Sequence, residues 1–173
     1  MPDEQRILGI DPGSRLTGFG LVAAGAANAR YLASGAVQSI AGTFPQRLRT
    51  IFESVRDIVA EYEPDVIAVE SVFVHRNAGS ALKLGQARSA AICATFVRNV
   101  EIYEYAPREI KQAVVGTGAA TKDQVNHMVR QLLSLDGEPS PDAADALAVA
   151  LCHANQSRLN RALETASRVA DLK

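Results

Sequence analysis

RILGIDPGSRLTGFGLVAA, residues 6–24, carries the reading on which the fold turns. Its first half is a short apolar run that stops at Asp11, Pro12-Gly13-Ser14 is a turn signal, and from Thr17 to Ala24 the extended pattern resumes. GAANA (25–29) reads as a second turn and YLASGAVQS (31–39) as a third strand. Three successive strands with short connections predict an antiparallel meander. Its first strand ends in an acid.

Outward from this meander the period changes. From Gln46, the residues Leu48, Ile51, Phe52, Val55, Ile58, Val59 and Tyr62 follow the three-and-four spacing of an amphipathic helix, closed by Glu63-Pro64. VIAVE (66–70) is a buried-looking strand that also ends in an acid, Glu70, and SVFVHRNAG then breaks to a loop. Residues 79–98 read as a helix rich in small residues, and VEIYEY (100–105) as a fifth strand. Thr121 with Gln124 is a capping-box signature opening a helix with Val125, Met128, Val129 and Leu132 on one stripe. PSPDAADALAVALCHA (139–154) supplies a last helix, and residues 156–173 a helical extension or a loose tail. The order βββ-α-β-α-β-α-α predicts an α/β fold with one five-stranded mixed sheet flanked by helices, a single domain over 1–155.

Composition bounds the function. A chain of 173 residues, 47% hydrophobic and 21% charged, is ordinary globular material. No apolar run approaches the roughly 20 residues that cross a bilayer. MPDEQRILG has no basic region followed by an apolar core, so the expectation is a cytoplasmic protein. Cys93 and Cys152 sit in apolar helical contexts and are expected to be buried thiols. Net charge is −1, but its distribution is uneven: residues 1–72 hold 6 Lys/Arg against 9 Asp/Glu, residues 73–130 hold 8 against 4, and residues 131–173 hold 4 against 6. The basic middle segment points to an anionic partner.

Four acids are the candidates for chemistry. Asp11 and Glu70 end strands, and in open sheets ligand sites gather at the carboxyl ends of strands. Asp142 and Asp145 lie three apart at the head of the last helix, where such residues have Cβ atoms roughly 5–6 Å apart. Ser140, Pro141 and Asp142 suit an ordinary capped first turn. Asp145, embedded in alanines and Leu147, is a desolvated carboxylate that needs a partner. From these residues alone the pair reads equally as a helix end or as part of a site. Clustered carboxylates repel, and a hard divalent cation removes that difficulty. Two such ions can serve phosphodiester cleavage. His75, His127 and His153 lack zinc spacing and read as structural or surface residues. GIDPGSRLTGFG also has the shape of the phosphate loop in actin-like sugar kinases, but 173 residues leave little room for their second half.

The chain resembles the RuvC family of Holliday junction resolvases, within the RNase H-like superfamily. The resemblance rests on GIDPGSRLTGFG (9–20), VIAVESVFVHRNAGSALKLGQAR (66–88), YAPREIKQAVVGTGAATKDQV (105–125) and DAADALAVALCHA (142–154), in family order. It implies that Asp11, Glu70, Asp142 and Asp145 are catalytic, metal-binding acids holding Mg²⁺ or Mn²⁺, two ions per site, with Asp142 the most replaceable. It further implies a homodimer that cuts four-way junction DNA symmetrically, leaving 5′-phosphate and 3′-hydroxyl ends, and that works with the RuvA–RuvB branch-migration complex. Phe73 is implied to stack on unpaired bases. Arg76, Lys83, Arg88, Lys111 and Lys122 are expected phosphate contacts. The competing expectation is a less selective nuclease acting on RNA–DNA hybrids or other branched DNA.

Overall fold

The computed structural model describes residues 4–71 and 77–170. The meander forms as expected: β1 (Gln5–Asp11), β2 (Leu16–Ala24) and β3 (Ala29–Gln38) pair antiparallel, while β4 (Val66–Glu70) and β5 (Glu101–Tyr105) add in parallel to give the order β3-β2-β1-β4-β5. Each parallel crossover carries a helix, α1 (Phe44–Tyr62) between β3 and β4 and α2 (Ala78–Thr95) between β4 and β5. Three helices follow: α3 (Pro107–Val115), α4 (Lys122–Leu132) and α5 (Pro141–Ala170).

The sequence order contains no helix at α3, and the structure corrects this. Pro107 occupies the first turn, where its missing N–H costs nothing, and the Glu109 carboxylate accepts from the Ala106 N–H at 2.7 Å. Ile110 and Val114 bury its inner face. The tail is a helix through Ala170, continuous with the one that carries Asp145. Cys152 is buried, but Cys93 is exposed. Helix α2 is rich in small residues with no sharply apolar stripe in sequence, and the face it buries is Ala87, Ala91 and Ala94. No described helix is long and apolar enough to cross a membrane.

The central strands are covered on both faces, which is why they read as continuous apolar runs. Strand alternation assigns the faces. Leu8, Ile10, Ile67 and Val69 pack with α1 and α2; Ile7, Val22, Val66 and Ala68 pack with α3, α4 and α5. Continuing that period of two, Asp11 and Glu70 must both point to the α5 side.

Candidate active site

Strands β1 and β4 are parallel neighbours, with Ile10 in register with Val69, so Asp11 and Glu70 leave the same end of the sheet side by side. The third acid arrives on α5, and glycines decide how close that helix can come. Gly9, Gly18 and Gly20 share the α5 face. A Cβ on Gly9 would lie 2.1 Å from the Ala146 carbonyl oxygen, one on Gly18 2.0 Å from that of Asp142, and one on Gly20 2.6 Å from the Leu147 nitrogen. Backbone therefore rests on backbone, and Asp145 is delivered to the strand ends. The signal lay in the spacing of T-G-F-G: two glycines two apart put an empty stripe on one face of β2.

Asp11, Glu70 and Asp145 line one open cleft of about 280 Å³ with Lys111 from α3 and Lys122 from the start of α4. Pro107, Ile110, Val125 and Ala148 complete its wall. Lys122 Nζ donates to Asp145 Oδ2 at 2.8 Å. Lys122 is the first residue of α4, where a cation opposes the helix dipole, and proximity to the acids outweighs that cost. Thr121 still caps this helix, its hydroxyl accepting from the Gln124 N–H while Gln124 Oε1 accepts from the Thr121 N–H.

The cleft is overloaded with negative charge. Burial first, then repulsion from Glu70 and Asp145, pushes the Asp11 carboxyl up to about 8, against the pull of Lys122. Burial and Asp145 also raise Glu70, opposed by its hydrogen bond from Asp11 and by Lys122 and Lys111. A donor set of hard carboxylate oxygens that cannot all ionise unaided suits a hard divalent cation. Among the described residues no three acid, histidine or cysteine side chains enclose an ion by themselves.

The other described candidates lie elsewhere. Asp142, half-buried in the first turn of α5, does not line the cleft; its backbone carbonyl abuts Gly18. Lys83 leans over the Phe44 ring at 6.0 Å, and Arg88 pairs with Glu104 at 2.6 Å; neither lines the cleft. Phe73 and Arg76 lie outside the described residues.

The family model described as crossover junction endodeoxyribonuclease RuvC matches residues 7–153, a span that contains every residue of the cleft. The chain belongs to the RuvC family. It is 52% identical to the RuvC of Alkalilimnicola ehrlichii over 161 residues, covering 93% of this chain and 98% of that one. To the RuvC of Aromatoleum aromaticum it is 54% identical over 150 residues, 87% and 81% of the two chains. Among solved structures, Thermus thermophilus RuvC in complex with Holliday junction substrate superposes with a TM-score of 0.83 at 38% identity, covering 90% of this chain and 96% of that one. The yeast mitochondrial Holliday junction resolvase, at 12% identity, shares the fold with a TM-score of 0.69. As a member of this family the chain is a crossover junction endodeoxyribonuclease, which implies use of a divalent metal in general.

Proposed function

We propose that this chain resolves four-way DNA junctions by hydrolysing one phosphodiester in each of two strands of like polarity, at the cleft between Asp11, Glu70 and Asp145. The observation that carries the reading is the delivery of two parallel strand ends and one helix to a single cleft that also holds two lysines. Water attacks the phosphorus in line, and the products are a 5′-phosphate and a 3′-hydroxyl.

Asp11, Glu70 and Asp145 would hold Mg²⁺ or Mn²⁺, two ions per site, with Asp142 as an outer and more replaceable fourth acid. Bound there, such ions supply Lewis acidity and a water of lowered pKa. The chain's own groups do the rest. Lys111 and Lys122 place positive charge where the scissile phosphate enters, and Lys122 exchanges Asp145 for a phosphate oxygen. Lys83 and Arg76 meet the flanking arms, Arg88 stays committed to Glu104, and Phe73 stacks on bases at the branch point. Two equivalent cuts require two sites related by a twofold axis, hence a homodimer. Work alongside RuvA–RuvB in the cytoplasm belongs to the same reading.

Incubation with Mg²⁺ or Mn²⁺ and labelled four-way junction, linear duplex and RNA–DNA hybrid tests it. Paired symmetric cuts confined to the junction are expected. An uncut junction would overturn the reading, and equal cutting of the hybrid would replace it with a less selective nuclease.

A further inference from the structure

His153 is the second-last residue of the run that opens α5, and it is 4% exposed. Both of its ring nitrogens are occupied: Nδ1 lies 2.8 Å from the Tyr105 hydroxyl and Nε2 3.0 Å from the Ser157 hydroxyl. Tyr103 packs against the ring at a tilt of 44° with centroids 4.6 Å apart. Burial, with Arg161 adding and Glu101 opposing, holds the imidazole below its ordinary value, so the ring is neutral with one N–H and one lone pair to place.

Tyr105 is the residue through which this bond reaches the cleft. It is in register with Glu70 across the β4–β5 ladder, and its carbonyl accepts the Ser71 N–H at 2.8 Å, directly after Glu70. On its other side Ala106 and Pro107 open α3, the helix that carries Lys111. The same corner is tied a second time, since Asn155 Nδ2 donates to the Ala113 carbonyl of α3 at 2.9 Å. On one side of the cleft, Lys111 hangs from the β5–α3 corner and Glu70, held on its other side by β1, is tied to that corner through the β4–β5 ladder; opposite, Asp145 stands on α5 two turns before His153.

We infer that His153, acting through Tyr105, is a positioning residue for the nuclease: its hydrogen bond clamps the β5–α3 corner to α5 and sets the separation of Glu70 and Lys111 from Asp145. This rests on the cleft being the catalytic site. A misplacement of about 1 Å costs on the order of 10²-fold in rate. Loss of a group that orients metal ligands costs roughly 10–100-fold in metal affinity or activity.

The test uses Tyr105→Phe, His153→Asn and His153→Gln in the full chain. The Asn amide falls where Nδ1 was and keeps the Tyr105 bond, whereas Gln reaches the Nε2 side and loses it; both lose the ring packed on Tyr103. Single-turnover cutting of a four-way junction, junction affinity without divalent cation, and Mn²⁺ affinity by titration calorimetry are measured. Tyr105→Phe and His153→Gln should cut about tenfold more slowly and bind Mn²⁺ about tenfold more weakly, with junction affinity unchanged, while His153→Asn stays within a few-fold of wild type. Equal behaviour of the Asn and Gln variants, or a Tyr105→Phe variant with wild-type cutting and Mn²⁺ affinity, overturns the inference. Asp145→Asn run in parallel separates the two readings: if it cuts normally, the catalytic assignment itself has failed.

Discussion

Lys122 Nζ and Asp145 Oδ2 lie 2.8 Å apart, joining the first residue of α4 to the second turn of α5 across the mouth of the cleft. The lysine side chain is 75% exposed, and an ion pair so solvated contributes little to stability. Its value is positional. Lys122→Met should therefore leave the melting temperature within about 2 °C while cutting single-turnover cleavage by roughly 100-fold, the scale on which a single transition-state donor acts. A melting curve and a quenched time course on junction DNA check both halves, and a rate near wild type would remove Lys122 from the reaction.

Asp145 is the acid that neither strand supplies. Asp145→Asn keeps the shape and removes the charge, so junction binding should survive and metal-dependent cutting should fall to background. Chelation of divalent cations should do the same to the wild-type protein, reversibly. Gel shift and cleavage assays on the same junction separate the two effects.

Asp11 links the site to stability. Its carboxyl titrates near 3.8 when unperturbed and up to about 8 in the fold, so between those values the folded chain holds a proton that the unfolded chain has lost. The contribution of Asp11 to the stability of the metal-free protein should then be fully present below the lower value and be lost as pH rises toward about 8. Asp11→Asn removes the penalty and should melt a few °C higher than wild type at pH 7.5, on the scale of about 2–4 °C per kcal/mol. Added Mg²⁺ should raise the wild-type melting temperature and leave the variant unmoved. Scanning fluorimetry across pH, with and without Mg²⁺, reads all three.

Two glycines give opposite expectations from the same substitution. Gly18→Ala sets a methyl group 2.0 Å from the Asp142 carbonyl and should destabilise by about 1–3 kcal/mol, lifting the start of α5 and slowing cleavage. Gly85→Ala, inside α2 with nothing within 4 Å of the added carbon, should stabilise by about 0.5–1 kcal/mol. Denaturant melts of the two variants compare them directly.

What the sequence made legible is what local pattern encodes. Strand ends at Asp11 and Glu70, the capping box at Thr121 and the desolvated setting of Asp145 all follow from neighbours a few residues away. Helix α3 escaped because only Ile110 and Val114 mark its buried face and the strand before it ends just two residues earlier, although Pro107 and Glu109 were a usable start signal. The Tyr105–His153 bond escaped for a different reason: 48 residues separate its ends, and nothing local in either residue names the other. Cys93 was misplaced because an alanine-rich helix offers no contrast between its faces, so Cys93 and the 65% exposed Leu82 look as apolar as Ala87.

The alternation along β1 has a consequence for how errors are tolerated. The period that buries Leu8 and Ile10 against α1 and α2 is the one that aims Asp11 at α5. A slip of one residue would turn the acid toward α1 and α2 and expose the apolar residues to the wrong layer at once. The chain has no well-packed state in which Asp11 faces away from the cleft, so a molecule that passes the test of folding has, by the same contacts, already been screened for a correctly aimed acid.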